Sequence, residues 1–240
     1  MGVSIVPAIY ANSKQDVEQQ LSQLTGFADT VQINVVDGKF AAPASWPYAL
    51  NSHDLSHMVA NKEMLPYWGR FRFEIDILAD PEEVVGHWIA VGASRLTLHV
   101  GSTKNLEKVM RELEVHYGHD KDFASDLLSV GLSLGIDTDP KVIEHFIDRI
   151  DYVQFMGVAR IGKHGEPFDK RVIERIREFR KAHPLMPIQA DSGVSRATAP
   201  ALLQAGVSRL VVGSDLWRAE NRAGRYQELK GLIEQYGIYE

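Results

Sequence analysis

Short aliphatic runs alternate along the chain with longer stretches whose apolar residues recur every three or four positions. The runs near 4–9, 31–36, 71–77, 94–99, 128–134, 151–156, 187–191 and 208–213 read as strands. Between them, stretches such as 13–24, 81–91, 105–117, 139–150, 169–183 and 195–206 read as amphipathic helices. Several open on residues that cap a helix or suit its first turn: Ser13, Asp80-Pro81, Asp139-Pro140 and Ser195. Gly92, Gly206 and the "KAHP" stretch mark helix ends. Eight strands, each followed by a helix or a long loop, in 240 residues without a Ser- or Gly-rich linker, predict α/β architecture: one (β/α)8 TIM-barrel domain over residues 1–240. A doubly wound sheet would want a Gly-rich first turn, which "VPAIYANSKQ" lacks.

The strands carry a second pattern inside the first. Helices cover a barrel strand on its outer face, so polar residues at every second position point to the interior. They occur at Gln32 and Asn34, Glu74 and Asp76, Thr97 and His99, Ser133, Gln154, and Gln189 and Asp191. These positions read as the C-terminal halves of their strands, the end at which a barrel forms its active site. Burying so many polar groups is costly unless each is hydrogen-bonded to a neighbour, to water or to a ligand. For any one of them a satisfied interior hydrogen bond is the simpler reading. The same parity on at least four strands predicts a polar pocket. Asp191 is the strongest individual candidate, because it ends a strand and Ser192-Gly193 then lets the backbone turn with its N–H groups exposed.

Two glycine turns follow the seventh and eighth strands, in "ADSGVS" and "VVGSDLW". Such turns can aim backbone N–H groups at a phosphate, with Gly193, Gly213 and Ser214 lining it. The alternative is ordinary helix-start geometry. The long segment 157–170, "GVARIGKHGEPFDK", follows the sixth strand and reads as a lid or as a plain surface loop; Arg160, Lys163 and His164 are its candidate anion-holding side chains.

Charge and composition narrow the function classes. With 26 basic and 32 acidic residues the net charge is -6, and the two signs are interspersed, so neither nucleic acid nor an anionic membrane is expected as a partner. There is no cysteine, which excludes disulfides, thiolate nucleophiles and Cys-built metal sites and suits a cytoplasmic protein. No apolar run approaches the roughly 18 residues of a spanning helix, and the first residues lack the basic start of a signal peptide. Trp46, Tyr67, Trp68 and Phe71 leave a homo-oligomer open, although burial under the barrel's own loops is the simpler reading.

From end to end the chain resembles the ribulose-phosphate 3-epimerase family. The resemblance is carried by "VPAIYA", "VQINVVDGKF", "FEIDILADPEEVV", "VGASRLTLHV", "GLSLGIDTDP", "VQFMGV", "IQADSGVS" and "AGVSRLVVGSDLW", in that order and at family-like spacing. It implies a ribulose-phosphate-binding type of barrel, a pentulose phosphate held after strands seven and eight, and a divalent metal over the strand ends. It also implies two Asp residues that remove and return the C3 proton through an enediolate, one on each face of the sugar. Two faces are needed because a single acid-base group tends to return the proton to where it came from.

Carried over residue by residue, Asp191 matches the seventh-strand catalytic and metal-binding Asp. The other catalytic Asp falls on Asn34, a neighbouring metal-ligand His on Gln32, and the third-strand metal His on Asp76, with Ile75 the alternative that parity disfavours. An Asn cannot exchange a proton as a carboxylate does, and amides are weak neutral ligands. The cofactor therefore stays open, with Asp191, Asp76, Asn34 and Gln32 the candidate ligands of any metal. The expected catalytic set is Asp191 with Asp76 or Glu74, together with Asn34. The expected substrate contacts are Gln32, His99, Met156, Gly162, Gly165, Gly193, Gly213 and Ser214. The function that follows is epimerase or isomerase chemistry on a phosphorylated pentose; an aldol-type or decarboxylating phosphosugar reaction and a non-catalytic phosphosugar-binding barrel are the alternatives.

Overall fold

The computed structural model describes residues 3–121, 127–162 and 166–237. Its eight strands are β1 (Ser4–Ile9), β2 (Thr30–Val36), β3 (Arg72–Leu78), β4 (Ala93–His99), β5 (Ser129–Leu134), β6 (Tyr152–Met156), β7 (Ile188–Asp191) and β8 (Arg209–Val212). Each pairs in parallel with the next, and β8 returns to β1 through Ser4↔Arg209 to Pro7↔Val212, closing the barrel. The helices are α1 (Lys14–Ser22), α2 (Asp54–Ala60), α3 (Val85–Ala90), α4 (Leu106–Tyr117), α5 (Arg171–Ala182), α6 (Ala199–Gln204), α7 (Ser214–Trp217) and α8 (Arg222–Tyr236). Among the described residues no helix is long and apolar enough to cross a membrane.

Strand parity separates two environments. The outward positions, such as Val31, Ile33 and Val35 on β2 and Phe73, Ile75 and Ile77 on β3, are buried in the main apolar core. Helical residues at three- and four-residue spacing meet them there, among them Val17 and Leu21 of α1, Val109 and Leu113 of α4, and Ile176 and Phe179 of α5. This shell supplies the hydrophobic stabilisation and frees the inward positions for polar residues.

Local chemistry sets the element starts. Ser13 caps α1 by accepting the Asp16 N–H at 3.1 Å. Asp80 and Asp139 cap in the same way, each with Pro in the first turn, but both open 3-10 segments, Pro81–Glu83 and Pro140–Phe146. The expected helix over 139–150 is thus corrected to a 3-10 segment, in keeping with the three-residue spacing of its buried Ile143 and Phe146. Ser195 also does not start a helix: its N–H donates to Thr198 Oγ1, and α6 begins at Ala199. Helices α2, α7 and α8 were not among the stretches the periodicity singled out; on α8 only Tyr226, Leu229 and Ile233 are buried.

The aromatic set divides. Trp46 and Phe71 are buried within the protein, Trp46 edge-on to Trp88 with ring centroids 5.6 Å apart. Tyr67 and Trp68 remain exposed.

Candidate active site

Register sorts the inward polar residues by depth. Gln32 stands beside Glu74, and Asn34 beside Asp76, two residues nearer the C-terminal ends of β2 and β3. The outer tier opens into a pocket at the strand ends, lined by Asn34, Asp76, Met156 and Asp191, with Tyr10, Val36, Leu78, Gly162 and Ser192 completing its wall. Asp76 is inward and Ile75 lies in the outer core, as parity requires.

The two pocket carboxylates are held differently. Asp191 Oδ2 accepts from Gln32 Nε2 at 2.8 Å, and its Oδ1 accepts the backbone N–H of Ser192. Burial, and next the negative charge of Asp76, push Asp191 up to about 7; the hydrogen bonds from Gln32 and Ser192 and the nearness of His99 pull the other way. On Asp76, Oδ1 faces His99 Nε2 and Gln154 Nε2, each at 3.1 Å, while the buried Oδ2 has no hydrogen-bond partner. Strands β3 and β7 lie four apart in a ring of eight, so the carboxylates approach the pocket from opposite sides. Asn34 Oδ1 accepts from Gln32 Nε2 at 2.8 Å, which leaves the Asn34 Nδ2 donors for the pocket that this residue lines.

The structure does not bring Glu74 to this pocket. Its Oε1 accepts from Arg209 and lies 3.7 Å from Arg95 Nε, in the deeper tier. Arg95 also donates to Ser129 Oγ at 2.9 Å and lies over the Tyr152 ring, 3.4 Å from its centroid. Gln32, Gln154 and Gln189 are likewise deeper than the halves of the strands suggested: they are fully buried beneath the pocket. His99 is buried and reaches the pocket through Asp76.

Of the other expected contacts, Met156 and Gly162 line the pocket, while Gly193, Gly213 and Ser214 stand in the turns that follow β7 and β8. Ser192 and Gly193 both have positive φ, 68° and 71°, so the chain turns sharply after Asp191. Gly213 and Ser214 form the neighbouring turn that leads into α7. The β6 loop folds back on itself through an antiparallel bridge between Val158 and Phe168, and Gly162 comes so close to Ala41 that an added Cβ would lie 2.5 Å from its methyl carbon. Gly157 packs against the β7 turn, where a Cβ would meet Ser192 O at 2.2 Å. Arg160 is paired with Glu166 Oε2 at 3.0 Å. Gly165, with Lys163 and His164, lies outside the described residues.

Sequence reasoning did not single out Tyr10, Leu78, Arg95 or Arg209. The inward parity of Arg95 and Arg209, each two residues before another inward position, was the available signal for those two.

The ribulose-phosphate 3-epimerase family model matches residues 1–217. The chain belongs to the ribulose-phosphate 3-epimerase family. That membership puts it with isomerases of phosphorylated pentoses, as the strand motifs imply. The ribulose-phosphate 3-epimerase of Aquifex aeolicus is 23% identical over 238 residues, covering 95% of this chain and 96% of that protein. The one from Bacillus subtilis is 26% identical over 236 residues, again covering 95% and 96%. Among solved structures, 3-hexulose-6-phosphate synthase from Salmonella typhimurium superposes with a TM-score of 0.67 at 14% identity, covering 97% of this chain and 99% of that one. For 3-keto-L-gulonate-6-phosphate decarboxylase from Vibrio cholerae the TM-score is 0.67 at 10% identity, covering 99% of both chains. These two likenesses establish the barrel fold.

The residues at the family's metal positions do not fit a divalent ion. Among the described residues, no group of three or more His, Asp and Glu side chains is placed to hold one. Gln32 presents its N–H side, not its oxygen, to Asp191 and Asn34, and an amide N–H repels a cation. Asp76 and Asp191 are the only carboxylates lining the pocket among the described residues.

Proposed function

We propose that this chain epimerises a phosphorylated ketopentose at C3, with Asp191 and Asp76 as the two acid-base groups. The observation that carries this reading is the pair of carboxylates on opposed strands β7 and β3, bordering one pocket. One carboxylate takes the C3 proton, and the C–H electron pair moves into the C2 carbonyl to form an enediolate. The other, protonated, delivers its proton to the opposite face of C3. The reverse reaction exchanges the roles. A value of about 7 leaves Asp191 divided between acid and base forms near neutral pH, the state such an exchange requires.

Asn34 then has a part its neutrality allows. Its free Nδ2 donors support oxygen as negative charge develops there, the role of a preorganised hydrogen-bond donor. The substrate phosphate is assigned to the turns at Gly193 and at Gly213-Ser214, and Gly162 and Met156 to the sugar side of the pocket; the phosphosugar partner rests on family membership and on these adjoining turns.

The test is incubation with D-ribulose 5-phosphate in heavy water, with and without added divalent metal, following deuterium at C3 and the appearance of D-xylulose 5-phosphate. Both are expected, at rates that a chelator leaves unchanged. Exchange without epimer would reduce the site to one working face, and no exchange under any metal condition would overturn the proposal.

A further inference from the structure

A branched line of hydrogen bonds runs from the deeper tier of the barrel to both carboxylates, and donor chemistry fixes its direction. A guanidinium only donates. Arg209 Nε lies 3.2 Å from Gln189 Oε1, so that end of the Gln189 amide is the acceptor and the other end is the donor. Gln189 Nε2 reaches two oxygens, Gln154 Oε1 at 2.7 Å and Gln32 Oε1 at 3.1 Å. With their oxygens engaged, Gln32 and Gln154 present their nitrogens upward, Gln32 to Asp191 Oδ2 at 2.8 Å and Gln154 to Asp76 Oδ1 at 3.1 Å.

Amide oxygen and nitrogen have nearly the same shape, so orientation has to come from partners. Here it is fixed independently at both ends: a donor-only cation at the root, and carboxylate acceptors at the two tips. The two constraints agree. All three glutamines are fully buried, so reversing any one amide would set donor against donor or acceptor against acceptor where water cannot intervene. The root is itself held, since Arg209 also donates to Glu74 and, at 3.2 Å, to Ser4 Oγ.

We propose that Arg209 and Gln189 are positioning residues that set the polarity of Gln32 and Gln154, so that directed amide N–H groups organise the two carboxylates where the family places a metal ion. The misfit of the site to a divalent ion is then a property built from below by β7 and β8.

Gln189→Glu tests this directly. A carboxylate accepts at both ends, so Arg209 keeps its partner while Gln32 and Gln154 must turn their nitrogens down toward residue 189. Their oxygens would then join Asp76 and Asp191 in an all-oxygen set, which suits a hard divalent cation. The expected result is Mn2+ binding, read by calorimetry or electron paramagnetic resonance, at least ~10-fold tighter in the variant than in the unmodified protein. Equal Mn2+ affinity in the two would overturn the proposal.

Two further measurements stand if that variant fails to fold. In the unmodified protein the side-chain amide protons of Gln32, Gln154 and Gln189 should exchange with solvent at least ~100-fold more slowly than those of the exposed Gln15; exchange at the Gln15 rate would overturn the idea without any substitution. Arg209→Met should speed exchange at Gln32 and Gln154, and Arg209→Lys, which restores a donor-only root, should slow it again; equal rates in the two variants would assign Arg209 to packing alone. None of these readouts needs turnover, so failure of ribulose 5-phosphate as a substrate would leave this inference standing.

Discussion

Asp191 and Asp76 face one pocket from β7 and β3, and the charge of Asp76 adds to burial in raising the proton affinity of Asp191. Stability must follow from that arrangement. Because the native Asp191 is raised from 3.8 to about 7, the folded protein keeps a proton between those values that the unfolded chain has released. Its contribution is fully present below pH ~4 and is lost as pH rises through about 7, on the order of 4 kcal/mol in all. Urea unfolding at pH 4.5 and pH 8 should show this fall in the unmodified protein and a flatter profile in Asp191→Asn. Parallel profiles would show that Asp191 is not the group responsible.

Asp76→Asn should separate exchange from inversion. With one face disarmed, Asp191 can still remove and return a proton on its own side, so deuterium should enter one epimer while interconversion falls by about 10²–10⁴-fold. Proton NMR of each epimer in heavy water reads both. Retained interconversion would remove Asp76 from the catalytic pair.

Asn34→Asp adds a third carboxylate, in register with Asp76 and held to the same Gln32 nitrogen as Asp191. Like charge opposes ionisation, so the rising limb of the pH–rate profile for C3 exchange should move to higher pH, with slower exchange at pH 7. A limb that moves to lower pH would mean that the new carboxylate, not Asp191, has become the base.

The Glu74 carboxylate is buried between Arg209 and Arg95. Glu74→Ala leaves both guanidiniums without that partner and should cost about 3–5 kcal/mol, seen as a lower urea midpoint. A loss below about 1 kcal/mol would mean that solvent reaching the partly exposed Arg209 already compensates it.

Gly157→Ala forces a methyl group to 2.2 Å from a backbone oxygen, Ser192 O, and to 3.1 Å from the Phe168 ring. Since neither backbone can swing aside like a side chain, the β6 loop and the Asp191 turn must move apart. A displacement near 1 Å at the reacting groups should lower kcat/KM by about 10²-fold. Unchanged kcat/KM would show that the loop and the turn are not mechanically joined.

Much of this was legible in the chain. Period-two alternation placed Gln32, Asn34, Asp76, Gln154 and Asp191 on the barrel's inner surface, and it chose Asp76 over Ile75 at the third strand. Parity carries no information about depth, however, because the stagger of a closed barrel comes from pairing between strands distant in sequence. Glu74 therefore looked like a companion of Asp76, although pairing of β8 with β1 brings Arg209 to it. The same limit concealed Arg95 and Arg209, whose partners lie on other strands. On α8 the buried Tyr226, Leu229 and Ile233 do recur at three and four, but they are the only buried residues among its 15 and make too sparse an apolar stripe to stand out in the sequence.

Closure of the barrel by β8 also imposes an order on synthesis. A ribosome delivers Glu74, Gln32, Gln154 and Gln189 before it delivers Arg209, so until the last strand emerges the nascent chain holds an anion and three amides without the cation that orients them. The hydrogen-bonded interior beneath the catalytic end is therefore complete only in a chain that extends through residue 209.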